Sequence, residues 1–247
     1  MCGACGERGA FDWARPWTSG LAARRAVAAA ALRAGARPGV RVTAGSGGWL
    51  VTGPTGAVTS CEDLTALVAA VRLLAAGADP APPDAGRPSG RLATPADDRR
   101  AGVVLKVGPT GAGPRAVPET LLETALAEGR AEVVLETPAA ARSALAHLAS
   151  PAWSRRAYLS RIEGVSEPWG RPAPVWRPPQ PSGPDPGALA ADVLVGLEWT
   201  RQSGRLTGAA LAVRTPLGVG AELDVEIRDG HVVRALTVAD EPPLRPG

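Results

Sequence analysis

Two proline-dense stretches decide how this chain is divided. Residues 78–100 (ADPAPPDAGRPSGRLATPADDRR) and 165–187 (VSEPWGRPAPVWRPPQPSGPDPG) combine Pro, Gly and charge. Proline fixes φ and lacks an amide hydrogen, so neither stretch sustains a helix or an interior strand, and both read as extended linkers. They leave three ordered blocks, 1–77, 101–164 and 188–240.

The first block reads as a metal knuckle followed by helix, small sheet and helix. Thr18 or Ser19 can cap a helix running to about Ala34, which Gly35 stops. Val40–Ala44 and Trp49–Thr52 are strand candidates, and Gly53-Pro54-Thr55-Gly56 is a turn. Ser60 and Asp63 have the spacing of a capping box, which predicts a helix whose first position is Cys61. Leu64, Leu67, Val68, Val71 and Leu74 give that helix one apolar face.

In the middle block, Val103–Val107 predicts a strand, Pro118 to Gly129 a helix and Val133–Leu135 a second strand. Thr137-Pro138 forms an N-cap and N1 pair opening a helix to about Ala149. Ser150-Pro151 repeats that pattern and predicts a further helix to Ile162. The Gly-Pro-Thr-Gly-Ala motif occurs at residues 53–57 and again at 108–112, and turn chemistry accounts for both.

The last block reads as all strand. Val193, Val195, Leu197 and Trp199 alternate with Leu194, Gly196 and Glu198; Leu206–Arg214 and Glu222–Arg228 follow, and Asp229-Gly230 is a type I′ hairpin signal returning through His231–Val238. The expected fold class is therefore α+β: a zinc-knuckle N-terminus with a small sheet and helices, a middle α/β segment, and a C-terminal four-stranded antiparallel meander.

Chemistry is scarce. The three cysteines are Cys2, Cys5 and Cys61. Two thiolates spaced C-x-x-C can share one metal ion, with Gly3 and Gly6 freeing the loop to turn its amides toward sulfur. Cys61, expected at a helix start where the dipole lowers a thiol pKa, suits a third ligand. Asp12 is the leading fourth ligand, with Glu7, Glu62, Asp63, His147, water or a partner chain as alternatives. A redox pair and three inert thiols are the competing readings. The segment MCGACG resembles the zinc knuckles of ribbons and metal-stabilised accessory proteins; the resemblance spans six residues and implies a structural Zn2+ rather than an activity.

Only His147 and His231 are available as imidazole bases, and neither G-x-S-x-G, H-E-x-x-H nor a Walker loop is present. Lys106 is the single lysine among 27 basic residues, and the net charge of +3 is too small to signal nucleic-acid binding alone. Trp and Arg do interleave, as in Trp13-Ala14-Arg15-Pro16-Trp17, Trp153-Ser154-Arg155-Arg156, Trp169-Gly170-Arg171 and Trp176-Arg177. That pattern suits base stacking, or cation–π packing that pins a proline-rich arm to the body. No apolar run reaches the length of a membrane span, and no secretory leader pattern is present, so a cytoplasmic location is expected. The expected function is a non-enzymatic, zinc-stabilised accessory or regulatory protein acting through protein–protein contact. A nucleic-acid-associated protein and a thiol-dependent enzyme centred on Cys61 are the alternatives.

Overall fold

A computed structural model describes residues 12–35, 37–75, 79–80, 86–95, 98–108, 118–179 and 185–239. It is a mixed α+β structure. A one-turn helix α1 (Arg15–Thr18) leads into α2 (Leu21–Ala34), then strands β1 (Arg41–Ala44), β2 (Trp49–Thr52) and β3 (Val58–Cys61), and helix α3 (Leu64–Leu74). The three strands form an antiparallel sheet in the order β1-β2-β3. Helix α2 has no side-chain cap; its N-cap is Gly20, and the Thr18 hydroxyl donates instead to Ala14 O.

The expected capping box does not form. Ser60 and Cys61 are the end of β3, paired with Leu50 and Trp49, and Asp63 is the N-cap of α3, accepting from Ala66 N at 2.6 Å. Both residues of the box are good caps. The hairpin's register carries Ser60 into the sheet and leaves Asp63 to start the helix. Gly48 makes the close approach possible, since a Cβ there would lie 2.2 Å from Cys61 O.

The middle block is a three-stranded parallel sheet. Its elements are β4 (Ala101–Val107), α4 (Pro118–Ala127), β5 (Glu132–Leu135), α5 (Pro138–Leu148) and β6 (Ala157–Glu163), with strand order β5-β4-β6. The Thr137 hydroxyl caps α5 through Ala140 N, as its position before Pro138 predicts. The helix expected from Ser150 is a correction. The chain turns tightly there, with Ser154 N and Ala157 N donating to Ser150 O and Trp153 O, and then enters β6. The Ser-Pro cap is spent on these turns because Ala157, Leu159 and Ile162 are needed as the third strand's buried face. Val103, Leu105, Leu122, Ala141, Leu145 and Leu159 form a second core here.

Gly164 ends β6 with φ +77, and a Cβ there would stand 1.9 Å from Val107 O. Gly164→Ala must move backbone on backbone, so it is expected to cost about 2–3 kcal/mol. The midpoint of urea unfolding checks this; an unchanged midpoint contradicts the described geometry.

The last block begins with a short 3-10 turn (Pro168–Gly170) and strand β7 (Val175–Trp176), inside the stretch expected to be linker. Residues 193–199, expected as a strand, lie in helix α6 (Ala190–Gln202). The run is apolar at nearly every position, so it satisfies the strand period and the helix period alike; length and burial on all sides decide for helix. Strands β8 (Ala210–Gly218), β9 (Ala221–Arg228) and β10 (His231–Ala239) form an antiparallel ribbon, with Asp229 (φ 49) and Gly230 (φ 79) in the predicted turn. The four-stranded sheet is mixed rather than an antiparallel meander, because β7 pairs parallel to β8 at its edge.

The first core is built from both ends of the chain. Trp17, Val27, Ala31, Leu67 and Val71 pack with Leu194, Trp199, Val213, Val225 and Ile227. The other face of β9 carries Glu222, Asp224, Glu226 and Arg228, all buried. Arg228 donates to Trp169 O (2.5 Å) and Arg171 O (2.8 Å), and Arg234 pairs with Glu226 at 2.6 Å while donating to Ser160 O. Buried charge survives here because each carboxylate faces a guanidinium.

Candidate functional site

Cys2, Cys5 and Glu7 lie outside the described residues. Asp12 and Cys61 are described, and both are buried. Asp12 accepts from Ala14 N at 3.0 Å and from Leu64 N at the head of α3. Asp12 is thereby tied to the head of α3, three residues after Cys61. Burial pushes the Asp12 carboxyl up to about 7, reinforced by the charges of Asp63 and Glu198 and opposed by its two backbone donors.

Cys61 departs from expectation. It is a strand residue with 1% exposure, not a helix start. Burial, and then the Asp63 carboxylate, push its thiol up rather than down. The helix dipole acts on groups along the helix axis in its first turn, and Cys61 precedes that turn, beside the acid that caps it. An activated nucleophile at Cys61 loses its premise.

Around Asp12 the surface is concave. A cavity of about 330 Å³ is lined by Asp12, Arg15, Arg24, Glu62, Trp49 and the Ser46–Gly48 turn, among others. Arg24 Nη1 donates to Ser19 O at 2.9 Å, while its buried Nε has no partner. The Trp49 indole donates to Arg24 O at 2.9 Å, which fixes the back wall.

Behind Asp12 lies a charge missed by the strand reading of residues 193–199. Glu198 on α6 is fully buried, yet both oxygens are satisfied. Arg201 Nε and Nη2 donate at 2.8 and 2.6 Å, Gln202 Nε2 at 2.8 Å and the Trp13 indole at 3.2 Å. The hydrogen bond to Glu198 is the main reason the Arg201 guanidinium sits above its ordinary range. The available signal was the Glu198/Arg201 spacing of three within an apolar run, which pairs charges only on a helix.

Of the other candidates, Glu62 and Asp63 lie at this locus and the two histidines do not. Glu62 lines the cavity, and Asp63 is occupied as a cap. His147 packs against Trp153 with ring centroids 4.9 Å apart and places Nδ1 3.2 Å from Glu119. His231 is pushed down by burial. Among the described residues no three His, Cys, Asp or Glu side chains are grouped to hold a metal ion.

The Trp/Arg segments stack internally. Arg156 lies over Trp153 at 5.0 Å, Arg142 over Trp169 at 5.6 Å and Arg100 over Tyr158 at 5.8 Å. Trp169 is 1% exposed, whereas Trp176 is 41% exposed on the edge strand. Among the described residues no helix is long and apolar enough to cross a membrane. No family model matches the chain, and neither a curated protein nor a solved structure matches it.

Proposed function

We propose that Cys2, Cys5 and Cys61, with Asp12 as fourth ligand, hold a structural zinc ion, and that the chain is a non-enzymatic accessory protein working through protein contact. The supporting observation is the anchoring of Asp12 on Leu64 N, beside the strand end that carries Cys61. Seven positions separate Cys5 from Asp12, and an extended chain covers up to about 25 Å over that length, so reach does not limit the clamp.

The donor set suits a cation. Asp12 and Cys61 are both held toward their protonated forms by burial and by the Asp63 carboxylate. A divalent ion between them reverses that balance, since it favours the thiolate and carboxylate that bind it. Thiolate and carboxylate oxygen are both ordinary zinc donors. When bound, the ion would supply a cross-link between the arm and β3, while Asp12 orients through its two backbone donors.

For the contact role, the support is strand β7, where Val175 and Trp176 are exposed at 53% and 41% on a sheet edge flanked by Pro172, Pro174, Pro178 and Pro179. Exposed tryptophan is enriched at protein interfaces.

Metal analysis of reduced, purified chain tests the clamp. About one zinc per chain is expected, falling steeply in Cys61→Ser; less than about 0.3 in the parent chain sinks the reading, because a structural site of this kind stays nearly saturated. A photo-crosslinking residue placed at Trp176 in the producing cell tests the contact. A discrete protein adduct is expected there, and its absence removes that half of the proposal.

A further inference from the structure

The cavity beside Asp12 carries charge of both signs. It measures about 330 Å³ and is lined by four ionisable side chains, two of each sign. Arg15 on α1 and Arg24 in the first turn of α2 supply the cations. Glu62, between β3 and α3, and Asp12, tied to the head of α3, supply the anions.

These opposite charges do not meet. Nearby, Arg33 sits 2.6 Å from Asp192, and Arg201 sits 2.6 Å from Glu198. Among the described residues, the four charges of the cavity form no such pair. Arg24 is braced by two carbonyls, Ser19 O at 2.9 Å and Thr18 O at 3.4 Å. Asp12 is braced by the amides of Ala14 and Leu64, and the charges that act on it are Asp63 and Glu198 rather than the two arginines. Both side chains are thus fixed by contacts that bring no counter-charge. The frame around them is set as well: Gly45 N donates to Gly48 O at 2.8 Å, and the Trp49 indole ties that turn to Arg24 O. A preformed cavity avoids the ordering cost that weakens small-ligand binding.

Charge placement narrows the occupant. A lone anion gains from Arg15 and Arg24 but is repelled by the acids, and a lone cation meets the converse difficulty. A molecule with one charge at each end gains from both pairs. The volume admits a free amino acid and excludes a folded peptide. Trp49 is 3% exposed, so the cavity offers little apolar surface to a large side chain.

We propose that this cavity binds a small zwitterion, an amino acid whose ammonium faces Glu62 and Asp12 and whose carboxylate faces Arg15 and Arg24. The site shares Asp12 with the zinc clamp but does not depend on it, since Glu62 and both arginines stay available when metal is bound.

The full chain, 15N-labelled, is titrated at pH 8 with L-serine and with 4-aminobutyrate, and the indole N–H signals are followed. N-acetyl-L-serine and ethanolamine serve as anion-only and cation-only controls. Saturable binding about tenfold tighter than either control is expected, moving the Trp49 signal and leaving that of Trp176 in place. A preference for L-serine sets the two charges close together and a preference for 4-aminobutyrate sets them apart; either supports the proposal. Arg15→Ser and Glu62→Gln are each expected to lose about tenfold in affinity with an unchanged urea midpoint, since both side chains are exposed. No saturable binding of either zwitterion up to about 10 mM overturns the proposal. Equal binding of a control, or an affinity unchanged in both variants, overturns it as well. Metal content of the same sample keeps the two readings apart: a chain that holds zinc and binds no zwitterion loses this site and keeps the clamp.

Discussion

In metal-free protein at pH 8, Asp12→Asn is expected to stabilise the fold by roughly 4 kcal/mol, and near pH 4 by far less. The carboxyl is held at about 7 in the folded chain against 3.8 when solvated. Between those values the folded state keeps a proton that the unfolded state has released. Acid therefore favours folding, and the contribution is lost as pH rises through 7. Asparagine cannot ionise and retains an oxygen for Ala14 N and Leu64 N, so it removes the penalty and keeps the anchor. Urea midpoints of both chains in chelator, from pH 4 to pH 8, measure the effect. A difference that does not grow with pH contradicts the burial assigned to Asp12. With zinc present the sign should reverse, because the variant then lacks a ligand. The same pair of proteins thus separates the electrostatic effect from the metal's.

Arg201→Met is expected to destabilise the chain by about 3–5 kcal/mol. The substitution leaves the Glu198 carboxylate at 0% exposure, with Trp13 and Gln202 as its remaining donors and no cation. An uncompensated buried charge costs more than the lost contact itself. Converting the acid as well, in Arg201→Met/Glu198→Leu, should recover part of the loss. It does not recover all, since the Trp13 indole and the Gln202 amide then lose an acceptor. Denaturant unfolding at a constant slope separates the cases. A double variant at least as unstable as the single one means that the pair matters through packing rather than charge.

Legibility in the sequence followed how local each signal was. Thr137-Pro138, the Asp229-Gly230 turn and the apolar face of α3 are specified within a few residues, and they appear in the structure as read. Cys61 was misplaced because two valid caps, Ser60 and Asp63, lie three residues apart, and only the pairing of β3 with β2 chooses between them. Residues 193–199 were misread because burial on every side erases the polar face that distinguishes the two periods. The Glu198 cluster and the Trp17–Thr237 contact were invisible for another reason. Trp13 meets Glu198 across 185 residues and Trp17 meets Thr237 across 220, and no local pattern encodes a contact at that separation.

Those separations also impose an order of assembly. The β4–β6 layer draws its core almost wholly from residues 103 to 169, so it can close as soon as that stretch leaves the ribosome. The core that seats α1, α2 and α3 needs α6 and the β8–β10 ribbon, which leave the ribosome after that layer. Until then Trp17, Val27 and Leu67 have no lid. Between those two points the nascent chain carries the alanine-rich α2 and the apolar face of α3 uncovered beside an already folded middle, the stage at which a chaperone would most readily engage it.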